Sequence, residues 1–226
     1  MLRPLHPTAL VTGGNRGIGR AIAAGLIARG CNVTIASRNQ AEGNEAASAL
    51  NCHAVQIDLA DPDSYFDAYT RSGGWDILVN NAGILGNASL LDKSSDFTAA
   101  MEVMVHAPLD LIRLNTPLWR QTGWGRVVNL SSGLGSHANG LNGPGAYSIA
   151  KAALNALTRV LPRDLPPGVK VNACDPGWVD TRMGRQGGST PPLPPEQGAD
   201  TPIWLALLPE DGPTGGFYRK RQPAAW

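Results

Sequence analysis

The sequence of 226 residues lacks several features that mark particular classes of protein. No window approaches the run of about eighteen apolar residues that a membrane-spanning helix needs, and residues 1–7 lack the apolar stretch of a secretory signal. Nineteen basic and 18 acidic side chains give a formal net charge of +1, which offers no electrostatic basis for binding nucleic acid or acidic membranes. These absences favour a cytoplasmic protein. Its ligands are expected to be small molecules that are either neutral or part of a cofactor.

Cysteine is also scarce. The chain has only Cys31, Cys52 and Cys174, and their positions show neither a CxxC motif nor the spacing of metal ligands. An odd number of cysteines without a pairing pattern is typical of reduced thiols in the cytoplasm, where they serve as small core residues. We therefore predict no metal site.

Short apolar runs that predict strands alternate with helical patterns along the whole chain, without a linker or a repeat. The predicted strands are residues 8–11, 32–36, 53–57, 75–79, 126–130, 169–174 and 215–218, and the predicted helices are 18–29, 40–50, 62–71, 96–120, one that begins near 145, and 197–208. This alternation predicts an α/β fold: one Rossmann-type, doubly wound parallel sheet of about seven strands with helices on both faces, in a single domain spanning 1–226. Residues 182–195 are rich in glycine and proline, which favours a mobile substrate lid.

A glycine-rich turn follows the first predicted strand directly. Thr12 to Gly19 reads T-G-G-N-R-G-I-G and opens the first helix. Glycines in such a turn let the backbone approach a pyrophosphate, which then meets the unpaired amides and the positive end of the helix. The strand, turn and helix in this order predict a dinucleotide-binding unit.

The end of the second strand favours NADPH over NADH. In an NAD site an acidic residue after this strand takes the 2′-hydroxyl of the ribose, but no Asp or Glu occurs here before Glu42. Arg38, which follows Ser37, and Arg16 in the glycine turn can instead offer planar donor forks to a 2′-phosphate. The alternative is that both arginines are solvated surface residues.

Three further strand ends carry polar residues, at the edge where open α/β sheets bind ligands. Asp58-Leu59 follows the third strand, where the carboxylate can accept a hydrogen bond from an adenine amino group or cap the helix that begins at Asp61-Pro62. Asn80-Asn81-Ala82-Gly83 follows the fourth strand and leaves room for a cofactor ring or ribose. Ser131-Ser132 follows the fifth.

Tyr147 and Lys151 lie four residues apart in a run of good helix formers, so they share one helix face. A tyrosine with an ordinary pKa of about 10 is a poor acid or base at neutral pH. A cation about 4 Å away is worth roughly 4 kcal/mol at an effective dielectric of about 20, which is enough to lower a pKa by about two to three units. The pair therefore predicts a tyrosine activated by its lysine for proton transfer.

These motifs, in this order, resemble those of the short-chain dehydrogenase/reductase family, and the resemblance extends over essentially the whole chain. Within that family, residues 172–179 (NACDPGWV) and 198–209 look most like NADPH-dependent carbonyl reductases. The resemblance implies direct transfer of a hydride from NADPH to the carbonyl carbon of a ketone or aldehyde. Tyr147 would be the general acid and base, Lys151 would lower its pKa and bind the ribose, and Ser132 would polarise the carbonyl.

The resemblance also implies which residues contact the NADPH or NADP⁺. They are Gly13, Asn15, Arg16, Gly17, Ile18, Gly19, Ser37, Arg38, Asp58, Leu59, Asn81, Ala82, Gly83, Tyr147, Lys151, Pro176, Gly177, Val179 and Thr181. The pocket for the substrate would be formed by residues 133–142, Trp178 and the lid, and its apolar character favours a neutral carbonyl compound.

Two departures from the family pattern accompany these matches. Met104 aligns with an asparagine that the family usually has in its fourth helix, and fifteen residues separate Ser132 from Tyr147 where thirteen are common. The long insertion of monomeric carbonyl reductases is absent between them, which favours a homo-oligomer, a dimer or tetramer. Two alternatives to a reductase stay open: an NADP-dependent alcohol dehydrogenase working in the oxidative direction, and a weakly active nucleotide-binding sensor or partner protein.

Overall fold

Eight strands form one sheet in the computed structural model, which describes residues 4–86, 89–92, 96–186 and 188–226. The strands are β1 (Thr8–Thr12), β2 (Asn32–Ser37), β3 (His53–Gln56), β4 (Ile77–Asn80), β5 (Gly125–Leu130), β6 (Val169–Cys174), β7 (Phe217–Arg219) and β8 (Gln222–Pro223). Their order is β3-β2-β1-β4-β5-β6-β7-β8, and all neighbours are parallel except β7 and β8. The predicted doubly wound parallel sheet is confirmed.

The strand that the prediction of about seven missed is β8. It pairs antiparallel with β7 through a turn in which Lys220 and Arg221 both have left-handed backbone angles, φ of 50° and 59°. A two-residue hairpin turn of this kind usually carries Asn or Gly, because those residues tolerate positive φ. With Lys and Arg in the turn, the sequence offered no hairpin signal.

Helices cover both faces of the sheet, as predicted. They are α1 (Gly17–Ile27), α2 (Gln40–Leu50), α3 (Pro62–Ser72), α4 (Phe97–Met101), α5 (Ala107–Thr122), α6 (Gly145–Val160) and α7 (Pro195–Ala206). Successive strand residues point to opposite faces: Val79 packs with α1, α2 and α7 in one core, and Leu78 packs with α3 and α5 in the other. The sheet is therefore buried on both sides, which explains its continuous apolar runs.

The helical pattern over residues 96–120, in which Pro108 predicts a local break, is interrupted. A π-helical turn, Glu102–His106, separates α4 from α5. Pro108 has no N–H, and its ring would clash with the carbonyl of Met104 in a regular α-helix. The wider turn before the proline relieves that conflict. Met104 lies in the middle of this turn and is 1% exposed.

The direction of the strand order reverses between β1 and β4, since β1 continues to β2 on one side and β4 continues to β5 on the other. Crossover helices on opposite faces leave a crevice at this switch point, beyond the carboxyl ends of the strands. Thr12 ends β1, Asn80 ends β4 and Leu130 ends β5, so the motifs that follow these strands meet at one edge.

The residues after β8 lie against the loop that follows β5. The ring of Trp226 stacks on Phe217 with centroids 5.5 Å apart. The amide of Ala138 donates to the carbonyl oxygen of Trp226 at 2.7 Å, and the Ser136 hydroxyl donates to that of Ala225 at 3.0 Å. These contacts hold the loop beginning at Ser132 to the far edge of the sheet.

No helix of the described residues is both long and apolar enough to cross a membrane. Cys31 and Cys174 are buried, and Cys52 is partly buried. The cytoplasmic location stays a prediction.

Replacing Trp226 with Ala removes the stack on Phe217, and we expect the free energy of unfolding to fall by about 1–2 kcal/mol, the value of an aromatic pair plus partial burial. Urea unfolding followed by tryptophan-independent circular dichroism measures the change. Leu91→Ala is the control, because Leu91 is 95% exposed and its loss should leave stability unchanged. Equal stability of Trp226→Ala and wild type would contradict the role given to this contact.

Candidate active site

Tyr147 and Lys151 both lie on the buried face of α6, against the carboxyl end of β5. Tyr147 is 8% exposed and Lys151 is 3% exposed. The Lys151 amine lies 5.5 Å from the centroid of the Tyr147 ring and donates a hydrogen bond of 2.5 Å to the carbonyl oxygen of Leu130. The strand end that delivers Ser131 and Ser132 therefore also anchors the lysine.

Ser132 completes the predicted catalytic trio. Its hydroxyl accepts the amide of Leu134 at 3.1 Å, which caps a short 3₁₀ turn, Gly133–Gly135, and it lies close enough to the Tyr147 phenol to lower its pKa in part. The spacing of fifteen residues is thus compatible with contact, because the intervening loop folds back over α6. The three side chains lie together as the sequence predicts.

The protonation energetics differ from the sequence-based expectation for Tyr147. Burial raises the pKa of Tyr147 to about 12; the hydrogen bond with Ser132 lowers it in part, and the carboxylate of Asp175 raises it. Burial also lowers the pKa of Lys151 to about 8, against a smaller raising influence of Cys174. The prediction that Lys151 lowers the phenol pKa does not hold in this structure, because the amine points to Leu130 rather than to the phenol oxygen.

The glycine turn has the backbone that the motif predicts. Gly13 and Gly17 have φ of +64° and +52°, which L side chains rarely adopt, and a Cβ on Gly19 would lie 2.4 Å from the carbonyl oxygen of Gly13. No side chain caps α1, and no acidic residue lies in its first turn. Its N-terminal amides are therefore left for an anion, and the residues present fit a pyrophosphate.

Thr12 joins the glycine turn to the segment after β4, a role that the sequence analysis missed. Its hydroxyl accepts the amides of Asn81 and Ala82 at 2.9 and 3.1 Å. The Asn81 carboxamide in turn donates to the carbonyl oxygen of Thr12 at 2.7 Å. A single threonine at a strand end is too common to signal this cross-strand contact.

Gly83 borders the catalytic groups. A Cβ on Gly83 would lie 3.1 Å from the Met104 sulfur and 3.8 Å from the Lys151 amine. Met104 packs with Tyr147 in one small apolar cluster. The thioether therefore occupies a position beside the site, where the resemblance led us to expect an asparagine.

The segment after β6 reaches back to the glycine turn. Gly177 has φ of +83°, and its amide donates to the Asp175 carboxylate at 2.9 Å. A Cβ on Gly17 would lie 3.1 Å from the Thr181 methyl group, so Thr181 lies directly over the turn. Val179, 3% exposed, lies against α7. Pro176, Gly177, Val179 and Thr181 are thus brought to the predicted cofactor site from the far end of the chain.

Asp175 is a second residue that the sequence analysis did not select. It is 7% exposed, raises the pKa of Tyr147, and lies 3.6 Å from the guanidinium of Arg219 on β7. It lies near the site because β6 ends there. A carboxylate within the D-P-G turn is not by itself a signal of a position next to a phenol.

The residues after β2 lie at the outer end of the site. Arg38 is exposed, and in the described part of the chain its guanidinium makes no hydrogen bond. Arg16 instead lies 3.2 Å from the carboxylate of Glu42. Ser37 is buried, with its hydroxyl donating to the carbonyl oxygen of Asn39 at 2.9 Å.

Asp58 does not cap α3; Asp61 does, by accepting the amide of Asp63 at 3.2 Å. The Asp58 carboxylate accepts the amide of Ala60 at 3.0 Å, and Leu59 is buried beside it. Asp58 also lines a cavity of about 770 Å³ along β3, together with Gln40 and further aspartates. Neither Tyr147 nor Lys151 lines that cavity.

Apolar side chains surround the approach to Tyr147. Leu90 packs over Gly145, Leu134 packs over Gly143, and Met183 joins the cluster of Tyr147 and Met104. Trp178 is 50% exposed and donates its indole N–H to the carbonyl oxygen of Gly184 at 3.1 Å. Gly187, within the predicted lid, lies outside the described residues.

The fold and these clustered side chains define an α/β protein with a glycine-rich turn of the kind that binds nucleotides. Comparison with known proteins identifies its family. The family model described as short chain dehydrogenase matches residues 7–191. The NADPH carbonyl reductase 1 of Mus musculus is 32% identical over 281 aligned positions, covering 98% of this chain and 99% of the relative. The chain belongs to the short-chain dehydrogenase family of oxidoreductases.

Solved structures agree. A protein described as a short chain dehydrogenase/reductase family protein superposes with a TM-score of 0.84, 31% identity and 94% coverage of each chain. A blue fluorescent protein from a metagenomic library, solved in complex with NADPH, has a TM-score of 0.81 and 29% identity, covering 95% of this chain and 96% of that one.

Replacing Lys151 with Met should stabilise the protein near neutral pH. Folding lowers the pKa of this amine from 10.5 to about 8, so the folded protein carries the buried cation at a cost on the order of 3 kcal/mol below about pH 8. Above about pH 8 the folded amine is neutral, so folding costs only the release of the proton from the unfolded chain. That cost falls as the pH approaches 10.5, where the unfolded chain also loses the proton. We expect Lys151→Met to be more stable than wild type at about pH 7, and the difference to shrink by about pH 10.

Urea unfolding of both proteins across this pH range measures the difference. Lys170→Met is the control, because it removes a half-exposed amine from β6 and should show no such trend. A stability difference between Lys151→Met and wild type that does not vary with pH would contradict the assignment.

Proposed function

We propose that this protein transfers a hydride from NADPH to the carbonyl carbon of a small ketone or aldehyde. The observation that carries the proposal is the closeness of Ser132 to the Tyr147 phenol, beside the Lys151 amine, at the sheet edge that also carries the glycine turn. A hydride donor and a proton donor must reach the same carbonyl from two sides. The glycine turn would bind the hydride donor, and Tyr147 would supply the proton, at the same edge of the sheet.

The cofactor would bind along the switch point of the sheet. NADPH supplies the hydride. The first turn of α1 would hold its pyrophosphate, since those amides have no side-chain cap, and Arg16 and Arg38 would bind its 2′-phosphate. Asn81, Ala82 and Gly83 would border the nicotinamide ribose. Thr181, over the glycine turn, would hold the carboxamide with Val179. The names of the carbonyl reductase relative and of the NADPH complex support this choice of nucleotide.

Tyr147 would donate its proton to the carbonyl oxygen as the hydride arrives. A pKa of about 12 keeps the phenol protonated at neutral pH, which is the form that reduction requires. Ser132 would direct its hydroxyl dipole at the oxygen, where negative charge develops. Lys151 would stabilise the phenolate that remains, provided that its amine turns from Leu130 towards the phenol or the ribose hydroxyls.

The same pKa bears on the pH at which each direction would run. Alcohol oxidation would need Tyr147 as a phenolate before the hydride leaves, and burial disfavours that form, so oxidation would need a higher pH than reduction. The ratio of reduced to oxidised cofactor sets the direction, so the oxidative alternative stays open. The other alternative, a nucleotide-binding sensor with weak turnover, is supported by Met104 beside Lys151, where the family resemblance implies an asparagine.

The substrate would be neutral and apolar. Leu90, Leu134, Trp178 and Met183 surround the approach to Tyr147, and no basic side chain among them could pair with an acid. We propose residues 182–195 as the lid of this pocket within a single-domain protein. The described part of this segment has no helix before Pro195, where α7 begins, and it is joined to the body where the Asp180 amide donates to the carbonyl oxygen of Leu193 at 2.7 Å.

Self-association would cover an apolar stripe on α6. Ile149, Ala153, Ala156 and Val160 recur at helical spacing on its outer face, with Ile149 37% exposed and Val160 46% exposed. The aligned carbonyl reductase spans at least 55 positions, 281 minus 226, that have no counterpart in this chain. We therefore infer a homo-oligomer.

Tyr147→Phe should lower kcat for ketone reduction by about 10²- to 10⁴-fold, because it removes the proton donor while leaving the ring in place. The measurement is the loss of NADPH fluorescence with a panel of ketones and aldehydes, alongside a direct titration of NADPH binding, which should stay near the wild-type value. Tyr69→Phe is the matched control, since Tyr69 contacts Trp75, which precedes β4 and lies at the amino ends of the strands, away from Tyr147. Turnover retained in Tyr147→Phe would refute the mechanism.

Val160→Lys should shift the protein towards the monomer, because an ammonium would be buried at the interface. Multi-angle light scattering gives the mass, to be compared with 23.7 kDa for one chain. Phe66→Lys, which charges an exposed apolar residue of α3, should leave the mass unchanged. A wild-type mass equal to that of one chain would disprove self-association.

A further inference from the structure

Glu42 makes contacts that its place in the sequence did not suggest. It lies in the first turn of α2, whose N-terminus is capped by the Asn39 side chain. Its carboxylate reaches back to the glycine turn, where one oxygen accepts the Asn15 carboxamide at 2.7 Å and the Arg16 guanidinium at 3.2 Å. A single acidic oxygen thus takes donors from two consecutive residues of the dinucleotide motif.

These donors are among those that a 2′-phosphate would use. Arg16 precedes the glycine that opens α1, and Arg38 ends the segment after β2, so the two guanidinium groups flank the expected position of the adenosine ribose. Glu42 is the first acidic residue after β2. Its carboxylate oxygen occupies the position at Arg16 that a phosphate oxygen would take. It also places a negative charge beside the expected position of the 2′-phosphate, which carries about two negative charges.

We propose that Glu42 narrows the preference of this protein for NADPH over NADH by competing with the 2′-phosphate of NADPH for Arg16. This inference rests on the proposed function. The side chains of the pair are 51% and 49% exposed, so the ion pair is weak and a phosphate can displace it. The carboxylate that remains nearby repels the phosphate, and discrimination in favour of NADPH then depends mainly on Arg38.

The preference for NADPH over NADH is consequently narrow, and the protein accepts both cofactors. NADH has no 2′-phosphate, so it leaves the contacts of Glu42 with Asn15 and Arg16 intact. Repulsion between exposed charges also depends on salt, because the screening length falls from about 10 Å at 0.1 M to about 3 Å at 1 M. The effect of Glu42 should therefore be largest at low ionic strength.

The test uses Glu42→Gln, which keeps the shape of the side chain and removes its charge. Isothermal titration calorimetry compares adenosine 2′,5′-bisphosphate with 5′-AMP, two probes that differ only in the 2′-phosphate. We expect Glu42→Gln to bind the bisphosphate about five- to twentyfold more tightly at low salt, because one carboxylate charge at close range is lost, and to bind 5′-AMP within about twofold of wild type. The ratio of kcat/KM for NADPH to that for NADH should rise by a similar factor.

Glu45→Gln is the matched control, because it removes an exposed carboxylate one turn along the same helix. Arg38→Asp gives the opposite reference, a loss of bisphosphate affinity. An unchanged ratio of bisphosphate to 5′-AMP affinity in Glu42→Gln, or an equal rise in Glu45→Gln, would overturn the role of Glu42 while leaving the proposed function intact. Failure of the wild-type protein to bind either nucleotide would overturn both.

Discussion

The site depends on the hydrogen bond between the Lys151 amine and the carbonyl oxygen of Leu130. It joins α6 to the carboxyl end of β5 at a point where both partners are buried, and a buried ammonium without an acceptor would be strongly destabilising. Because Tyr147 lies one turn before Lys151 and Ser132 lies two residues after Leu130, this one contact sets the distance between phenol and serine. The contact therefore fixes the geometry of the proposed chemistry, although the buried cation that it holds costs folding free energy near neutral pH.

Burial sets the charge states of the proposed site. The same desolvation raises the pKa of Tyr147 and lowers that of Lys151, so the phenol is held neutral and the lysine charge is costly. A bound nucleotide would place its ribose hydroxyls beside the Lys151 amine, where they would accept hydrogen bonds from it. The apolar surroundings, Met104 and Ala146 among them, thus keep the proposed proton donor in its protonated form, and they match the apolar substrate that we propose.

Much of the fold could be predicted from the sequence, because its signals are local. The boundaries of α2 were predicted as they stand, since Asn39 caps its start and a left-handed residue at Asn51 ends it. The strands of the buried sheet were evident from continuous apolar runs. The strand count was wrong, because β8 depends on a turn with Lys and Arg at positive φ, which no sequence signal marks. The break that Pro108 predicts in the long helix is present, although the sequence did not indicate its form, a π-helical turn.

The sequence by itself determined which chemical groups are present and where the chain turns: a glycine motif after β1, polar residues at strand ends, and a tyrosine and lysine on one helix face. These follow from periodicity and from the conformational range of glycine and proline. Only the tertiary structure decided which groups meet. The contacts of Thr12 with Asn81, of Asp175 with the surroundings of Tyr147, and of Glu42 with Arg16 join segments that are 26 to 69 residues apart, and no local pattern encodes such distances. The tertiary structure also decided the protonation states of Tyr147 and Lys151, because pKa values depend on burial, which the order of residues does not specify.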